Sequence, residues 1–284
     1  MELTKIVKSW INTDSDIQDP PYNYDLIMNI EEKDYPKYLK KIFKYKTGQD
    51  LNLKNPKTYN EKIQWLKLYD DSVLRTKLTD KILVRDYITE KIGSKYLKPI
   101  LWKGNSFDDI PFDSLPDRFF IKTNHGCKWH CYIKDKNKLL NDSQLFKYMR
   151  IRFNSWLQQS FFGWSAFELQ YKKIVPQIYI EPVLFDESSL CPIDIEVYCF
   201  NSKPKLFRFL KYAEANSETL YDNDFKLLSK FDNIRPADDE TKIKLHNLSS
   251  ILSQEFKFVR VDWIVFNETL YFNELTFTPG SGSG

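Results

Sequence analysis

Several absences narrow this chain before any motif is read. No run of about 18 apolar residues occurs, so no membrane-spanning helix is expected. The opening MELTKIVKSWINTDSD has no apolar core of the kind a secretory signal needs. Cysteine is scarce, at positions 127, 131, 191 and 199 only. Without a secretion signal these read as reduced thiols of a cytoplasmic protein. Charge of one sign is lacking too: a net +3 is too small to argue for a nucleic-acid partner. There is no internal repeat and no G-x-S-x-G elbow for a serine nucleophile. Cys199 lies mid-strand beside apolar neighbours and reads as core.

What is present suits a soluble α+β protein. Hydrophobic residues make up 42% and charged residues 29%, and 284 residues suffice for one large domain or a few small lobes. Aromatics reach 16%, which fits broad sheets or a carbohydrate-facing surface. Trp156, Trp164 and Phe167 are candidates to stack on sugar rings, with core packing the competing use.

Helical signals dominate the first hundred residues. YPKYLKKIFKYKTG predicts a basic helix ending at Gly48, with Tyr38, Leu39, Ile42, Phe43 and Tyr45 as its apolar stripe. Its lysine face is either simply solvated or a contact for a membrane surface or an anionic polymer. Asn55 and Pro56 predict the start of the next helix, and Thr79 or Asp80 the cap of another that stops at Gly93. Beyond Arg118 the chain reads as strand pairs interleaved with helices near 142–158 and 242–256. Helices first, then antiparallel strand pairs, is an α+β order.

The last hairpin, FVRVDWIVFNETLYFNELTFTPGSG (Phe258–Gly282), poses the chemical question. With a three-residue loop, Asn267 to Thr269, Asp262 faces Glu274 and Arg260 faces Thr276. Arg260, Asp262, Ile264, Phe266, Leu270, Phe272, Glu274 and Thr276 then share one face. Facing carboxylates repel. A divalent cation that also meets phosphate oxygens relieves this; the competing reading is a structural cluster neutralised by Arg260 alone. A two-residue loop leaves the acids diagonal. Elsewhere, Lys122 interrupts an apolar strand and wants an anion. Lys81 is a weaker candidate of the same kind. Asn124 to Cys131 forms a turn whose backbone N–H groups and Lys128 suit a phosphate better than its His and Cys side chains suit zinc. Glu181, at a strand end, could accept from a ribose hydroxyl. His125 titrates in the range of a general base, or else it is a structural turn residue.

Five stretches together resemble a known family: NPKTYNEKIQWLKLYD, LTDKILVRDYITEKIGSKYLKPIL, SFDDIPFDSLPDRFFIKTNHG, DIEVYCFNSKPK and the closing hairpin with ELTFTPGSG. In their order, over about residues 55 to 282, they are similar to the TupA-like branch of the ATP-grasp superfamily. The resemblance implies an α+β ATP-grasp fold, with ATP held between two lobes built on antiparallel sheets. It implies a helical extension (1–54), an N-terminal helical and linker lobe (55–115), a central phosphate-side subdomain (116–180) and a C-terminal lobe with the metal site (181–284). Lys81 and Lys122 match the two phosphate-binding lysines, beside the phosphate-side Lys128 of the turn, and Glu181 matches the acid that reads adenosine. Asp194 and Arg208 join the nucleotide site. Asp262, Glu274 and Thr276 match the Mg²⁺ ligands, while Arg260 and Lys122 serve the chemistry. Two departures stand out. CKWHC replaces a glycine-rich stretch after Asn124-His125-Gly126, and Glu196 stands where a lysine is usual, with Arg208 or Lys211 as substitutes.

The implied activity is ATP-dependent amide formation between a carboxylate and an amine through an acyl phosphate. The implied substrates are a uronic acid of a bacterial capsular or surface polysaccharide precursor, or its nucleotide sugar, and an amine or amino acid. Peripheral association with a membrane polysaccharide-assembly complex accords with this. The competing readings are a glycosyltransferase-like protein of polysaccharide synthesis and a nucleotide-binding relic that no longer turns over.

Overall fold

A computed structural model describes residues 24–70, 72–165, 167–184, 192–211, 218–230, 238–267 and 269–283. The first 23 residues of the expected helical extension, with Cys191 and Glu268, lie outside the described residues. The chain divides into two compact units. The first comprises Met1–Ile82, Pro99–Val183 and Thr278–Gly284; the second comprises Leu83–Lys98 and Leu184–Phe277. Among the described residues no helix is long and apolar enough to cross a membrane.

The first unit holds a four-stranded antiparallel sheet of β1 (Trp102–Gly104), β2 (Phe119–Thr123), β3 (His130–Ile133) and β4 (Ile178–Pro182), in the order β1-β4-β2-β3. Strand alternation sorts its side chains. Phe119, Ile121, Cys131, Ile133, Ile178 and Ile180 enter a core with Leu145, Met149, Phe153 and Trp156 of the helix Ser143–Leu157. The other face presents Phe120, Lys122, His130, Tyr132, Tyr179 and Glu181. A second core gathers Tyr35, Leu39 and Phe43 of the helix Tyr35–Thr47 around Phe162 and Phe167. Trp156 and Phe167 are thus core residues, not sugar platforms.

Local chemistry explains where the helices begin and end. The basic helix stops at Gly48, whose φ of 72° suits glycine. Tyr45, two positions past buried Phe43, falls on the far side of the helix and is 91% exposed. The helix Tyr59–Tyr69 is capped by Thr58 and not by Asn55, because Glu61 closes a capping box with Thr58. Asn55 instead donates its backbone N–H to the Asn52 side chain. Thr79 ends the helix Val73–Thr79, and Asp80 turns the chain by accepting from the Ile82 N–H. The expected helix therefore starts at Val84 and stops, as expected, at Gly93.

The second unit is a six-stranded antiparallel sheet: β5 (Ile193–Phe200), β6 (Lys203–Leu210), β7 (Glu218–Asp222), β8 (Leu227–Lys230), β9 (Phe258–Phe266) and β10 (Thr269–Thr276), ordered β10-β9-β5-β6-β7-β8. The sequence reading had no counterpart for β1, β7 or β8. Asn201 and Ser202, with φ of 47° and 64°, make the tight turn from β5 to β6. One face buries Ile195, Val197, Cys199, Phe207, Phe209, Val259, Val261 and Trp263. Ser249 of the helix Asp239–Leu252 accepts the Trp263 indole N–H at 2.9 Å.

The closing hairpin corrects the expected register. Phe266 pairs with Thr269, so only two residues separate the strands. A bulge between Phe272 and Glu274 then adds one residue to β10 and brings Glu274 opposite Asp262 and Thr276 opposite Arg260. Leu270 and Phe272 pair with Val265 and Trp263 and so lie on the core face, not with the acids.

Candidate functional site

Each unit gathers polar side chains on one face of its sheet. In the first, Lys122 and Glu181 sit diagonally on β2 and β4, with Nζ 2.8 Å from the Glu181 carboxylate. Glu181 is buried and Lys122 mostly so. The anion this lysine requires is therefore Glu181 in this structure. The ammonium also lies 5.2 Å from the Phe120 ring centre, and Phe120 stacks on Tyr132 at 5.0 Å. The result is a flat aromatic floor with one cation and one carboxylate at its edge, able to take a planar ring and a hydroxyl.

The turn beyond β2 is rigidly held. Asn124, fully buried, donates to Asp80 at 2.8 Å and to the Val175 carbonyl at 2.9 Å, and accepts from the Gln177 N–H at 2.7 Å. His125 is buried between the Asn124 side chain at 3.1 Å and the Trp156 carbonyl at 3.0 Å. Burial pushes its imidazole down to about 4. A ring so enclosed is a structural residue and not the general base. Lys81 donates to the Gly126 carbonyl at 2.7 Å, which places its ammonium at the turn. The bulky turn turns inward: Trp129 is buried, packs on the Cα of Gly126 and stacks on Trp156 at 5.8 Å. Cys127 and Lys128 remain exposed, Lys128 with φ of 61°. Burial raises the Cys131 thiol far above its ordinary range, so it is an inert core thiol.

In the second unit a row of charge crosses the sheet. Glu274, Asp262, Glu196 and Arg208 face one another on β10, β9, β5 and β6. Arg260 grips Asp262 with two bonds of 2.7 and 2.6 Å, reaches Glu196 at 3.1 Å and lies 4.0 Å from Glu274. Thr276 donates its single hydroxyl hydrogen toward Asp262 at 3.0 Å or Glu274 at 3.2 Å. Arg208 joins Glu196 at 3.2 Å and also binds Glu218. The Tyr198 hydroxyl donates to Glu196 at 3.1 Å. Asp194, half-buried, shares this face one alternation from Glu196.

Among the described residues, Glu196, Glu218, Asp262 and Glu274 gather around the guanidiniums of Arg208 and Arg260. Burial outweighs the pull of Arg260 on Asp262, and with Glu274 and Glu196 also opposing ionisation its carboxyl is pushed up to about 8. Arg260 is held well above its ordinary value by the same acids. Among the described residues no three His, Cys, Asp or Glu side chains are placed to hold a metal on their own. Asp262, Glu274 and Thr276 are hard oxygen donors on one sheet face, a set that fits Mg²⁺ completed by phosphate oxygens.

Reasoning from sequence missed Glu196, Tyr198 and Glu218 as members of this row. The signal was present in D-x-E-x-Y of β5, where period-two alternation puts Asp194, Glu196 and Tyr198 on one face.

None of the curated protein sequences matched this chain. Among solved structures it is similar to the D-alanine–D-alanine ligase of Bacillus anthracis, with 16% identity over 72% of this chain and 57% of that one and a TM-score of 0.43. The corresponding ligase of Helicobacter pylori gives 16% identity, 79% and 63% coverage and a TM-score of 0.39. The ATP-grasp ligase PsnB with its minimal precursor gives 10%, 72% and 54%, and 0.41. The chain thus spans less than two-thirds of the length of these ligases. The sequence profile of the TupA-like ATP-grasp proteins matches residues 61–284, which include both polar faces. On that match, over well more than half its length, the chain belongs to the TupA-like ATP-grasp family.

Proposed function

We propose that this protein is an ATP-dependent carboxylate–amine ligase. A substrate carboxylate takes the γ-phosphoryl group of ATP, giving an acyl phosphate and ADP. The amine then attacks the acyl carbon, phosphate leaves, and an amide forms with loss of the amine proton. Lys81, Lys122 and Lys128 meet the phosphates, and Glu181 accepts from the ribose. Arg260 screens the transferring group, and Asp194 and Arg208 flank it on the same sheet face as the acids. Asp262, Glu274 and Thr276 would hold Mg²⁺, which supplies charge neutralisation at the phosphate oxygens. Catalysis of this kind is positioning and electrostatics, with no covalent nucleophile. The carboxylate is that of a uronic acid in a bacterial surface-polysaccharide precursor, the amine that of an amino acid or simple amine, and the compartment the cytoplasm.

The observation that carries this reading is the row Glu274–Asp262–Glu196–Arg208, which brings three acids of adjacent strands onto one face around Arg260. A second reading, a nucleotide-binding relic without turnover, draws on the twin bonds by which Arg260 already occupies Asp262. Mg-ATP separates the two. ADP release that requires both a sugar acid and an amine supports the ligase. Tight ATP binding without turnover supports the relic, and UDP-sugar binding without ATP binding sinks both in favour of a transferase. Lys122→Ala should weaken ATP binding more than it weakens folding; unfolding with no nucleotide defect would make Lys122 purely structural.

A further inference from the structure

We propose that the lysine face of the helix Tyr35–Thr47 docks a polyanionic glycan, a polymer bearing a carboxylate on successive sugars. The surface does not depend on the ligase reading; the choice of a polyuronate as its polymer does. Residues 33–62 contain nine lysines and three acids, whereas the whole chain is only +3, so this stretch alone exceeds the total surplus. Within the helix stand five lysines and no acid. Two of the three acids are engaged: Asp50 with Lys44 at 3.0 Å, and Glu61 in its capping box.

Helix geometry concentrates that charge. Lys37, Lys40, Lys41 and Lys44 recur at three- and four-residue steps, so they lie along one side, about one turn or ~5.4 Å apart. All four are exposed. A polymer with one carboxylate per ring offers anions in a comparable line. Tyr45, 91% exposed, stands beside them, and the Tyr38 ring lies between Lys37 and Lys41 at 5.9 and 5.8 Å. Cations alternating with ring faces suit a sugar acid, which presents a carboxylate and an apolar C–H face together.

The alternative, a lipid surface, fits less well. A helix that lies on a bilayer inserts its apolar face. Here that face, Tyr35, Leu39 and Phe43, is committed to the core with Phe162 and Phe167. The helix also precedes residues 61–284, so it stands outside the family match.

The test uses the full chain and fluorescently labelled oligogalacturonate, followed by anisotropy. Binding should weaken about tenfold or more from 0.1 to 1 M NaCl, as the screening length falls from about 10 to 3 Å. The charge reversal Lys37→Glu with Lys40→Glu and Lys41→Glu should cost about tenfold or more. Its melting point and its shift with Mg-ATP should match those of the parent chain. Tyr45→Ala, which changes no charge, should cost severalfold. Equal binding of the charge-reversed chain, equal binding of neutral dextran, or tighter binding of phosphatidylglycerol vesicles or oligothymidylate overturns the proposal. No loss in Tyr45→Ala overturns the glycan as its occupant. Loss of oligogalacturonate binding on charge reversal in a chain that shows no Mg-ATP shift would keep the surface and remove the ligase reading instead.

Discussion

Arg260→Met tests the charge row most directly. The guanidinium is largely buried and makes two bonds to Asp262 and one to Glu196. Methionine replaces its length but leaves three carboxylates on adjacent strands, roughly 5 Å apart. Breaking a buried ion pair from one side typically costs about 3–5 kcal/mol. In a unit of roughly 110 residues that is a loss of ~10–20 °C in Tm. The loss should depend on pH. The Asp262 carboxyl already sits near 8 when folded and at 3.8 when unfolded, and removing Arg260 raises the folded value further. A raised carboxyl binds its proton more tightly when folded, so stability falls as pH rises from about 4 through the folded value. Below about pH 8 Asp262 is protonated in both folded chains and the two stability curves run parallel; above it they diverge, so the variant should lose more against the parent at pH 9 than at pH 6. Mg²⁺ should restore part of the difference at pH 9; saturation at 100 times Kd is worth about 2.7 kcal/mol. Urea melts at both pH values, with EDTA and with Mg²⁺, give all four numbers. A loss under about 1 kcal/mol that ignores both pH and Mg²⁺ would refute the reasoning.

Other outcomes can be stated as firmly. Glu274→Gln removes a half-buried acid at 31% side-chain exposure, so stability should change by less than about 1 kcal/mol. Mg²⁺-dependent ADP release should vanish with it; unchanged kinetics would take Glu274 out of the site. Gly126→Ala would push a Cβ to 2.3 Å from the Trp129 ring, so about 1–3 kcal/mol of stability and the native near-ultraviolet tryptophan signal should be lost. Lys67 and Glu168 are both buried, with burial lowering the lysine to about 8 and raising the acid. Lys67→Met alone should cost about 3–5 kcal/mol, while Lys67→Met with Glu168→Leu should recover most of it in urea melts.

The residues most legible in the sequence were those with a strong local signature. Gly48 and Gly93 stop helices as read, because few other residues tolerate their backbone angles. Phe119–Thr123 reads as an apolar strand interrupted by Lys122, and β2 forms there, with Glu181 2.8 Å from the lysine. Where two local signals competed, the reading failed. Asn55-Pro56 is a good helix start, but Thr58 with Glu61 satisfies two backbone donors at once and wins. The short strands β1, β7 and β8 carry too few residues for a periodic signal and owe their form to their neighbours. Glu196 read as the loss of a cation when considered alone. Its role emerges only across strands, from pairing with Asp262 and Arg208, which no local pattern encodes. The facing of Asp262 and Glu274 was anticipated through the wrong loop, since turn length and bulge shift the register in compensating ways.

That extra residue near Asn273 divides β10 into two halves of opposite allegiance. The outer half gives Leu270 and Phe272 to the oily side, and the inner half gives Glu274 and Thr276 to the charged side. The tip is thereby fastened by grease while the root stays aimed at its acids, so changes of loop length can be absorbed without disturbing the root. Were β10 to keep residue 273 and run without the bulge, Glu274 would fall opposite Val261 on the hydrocarbon face, so a single backbone irregularity decides whether this ribbon carries an anion site at all.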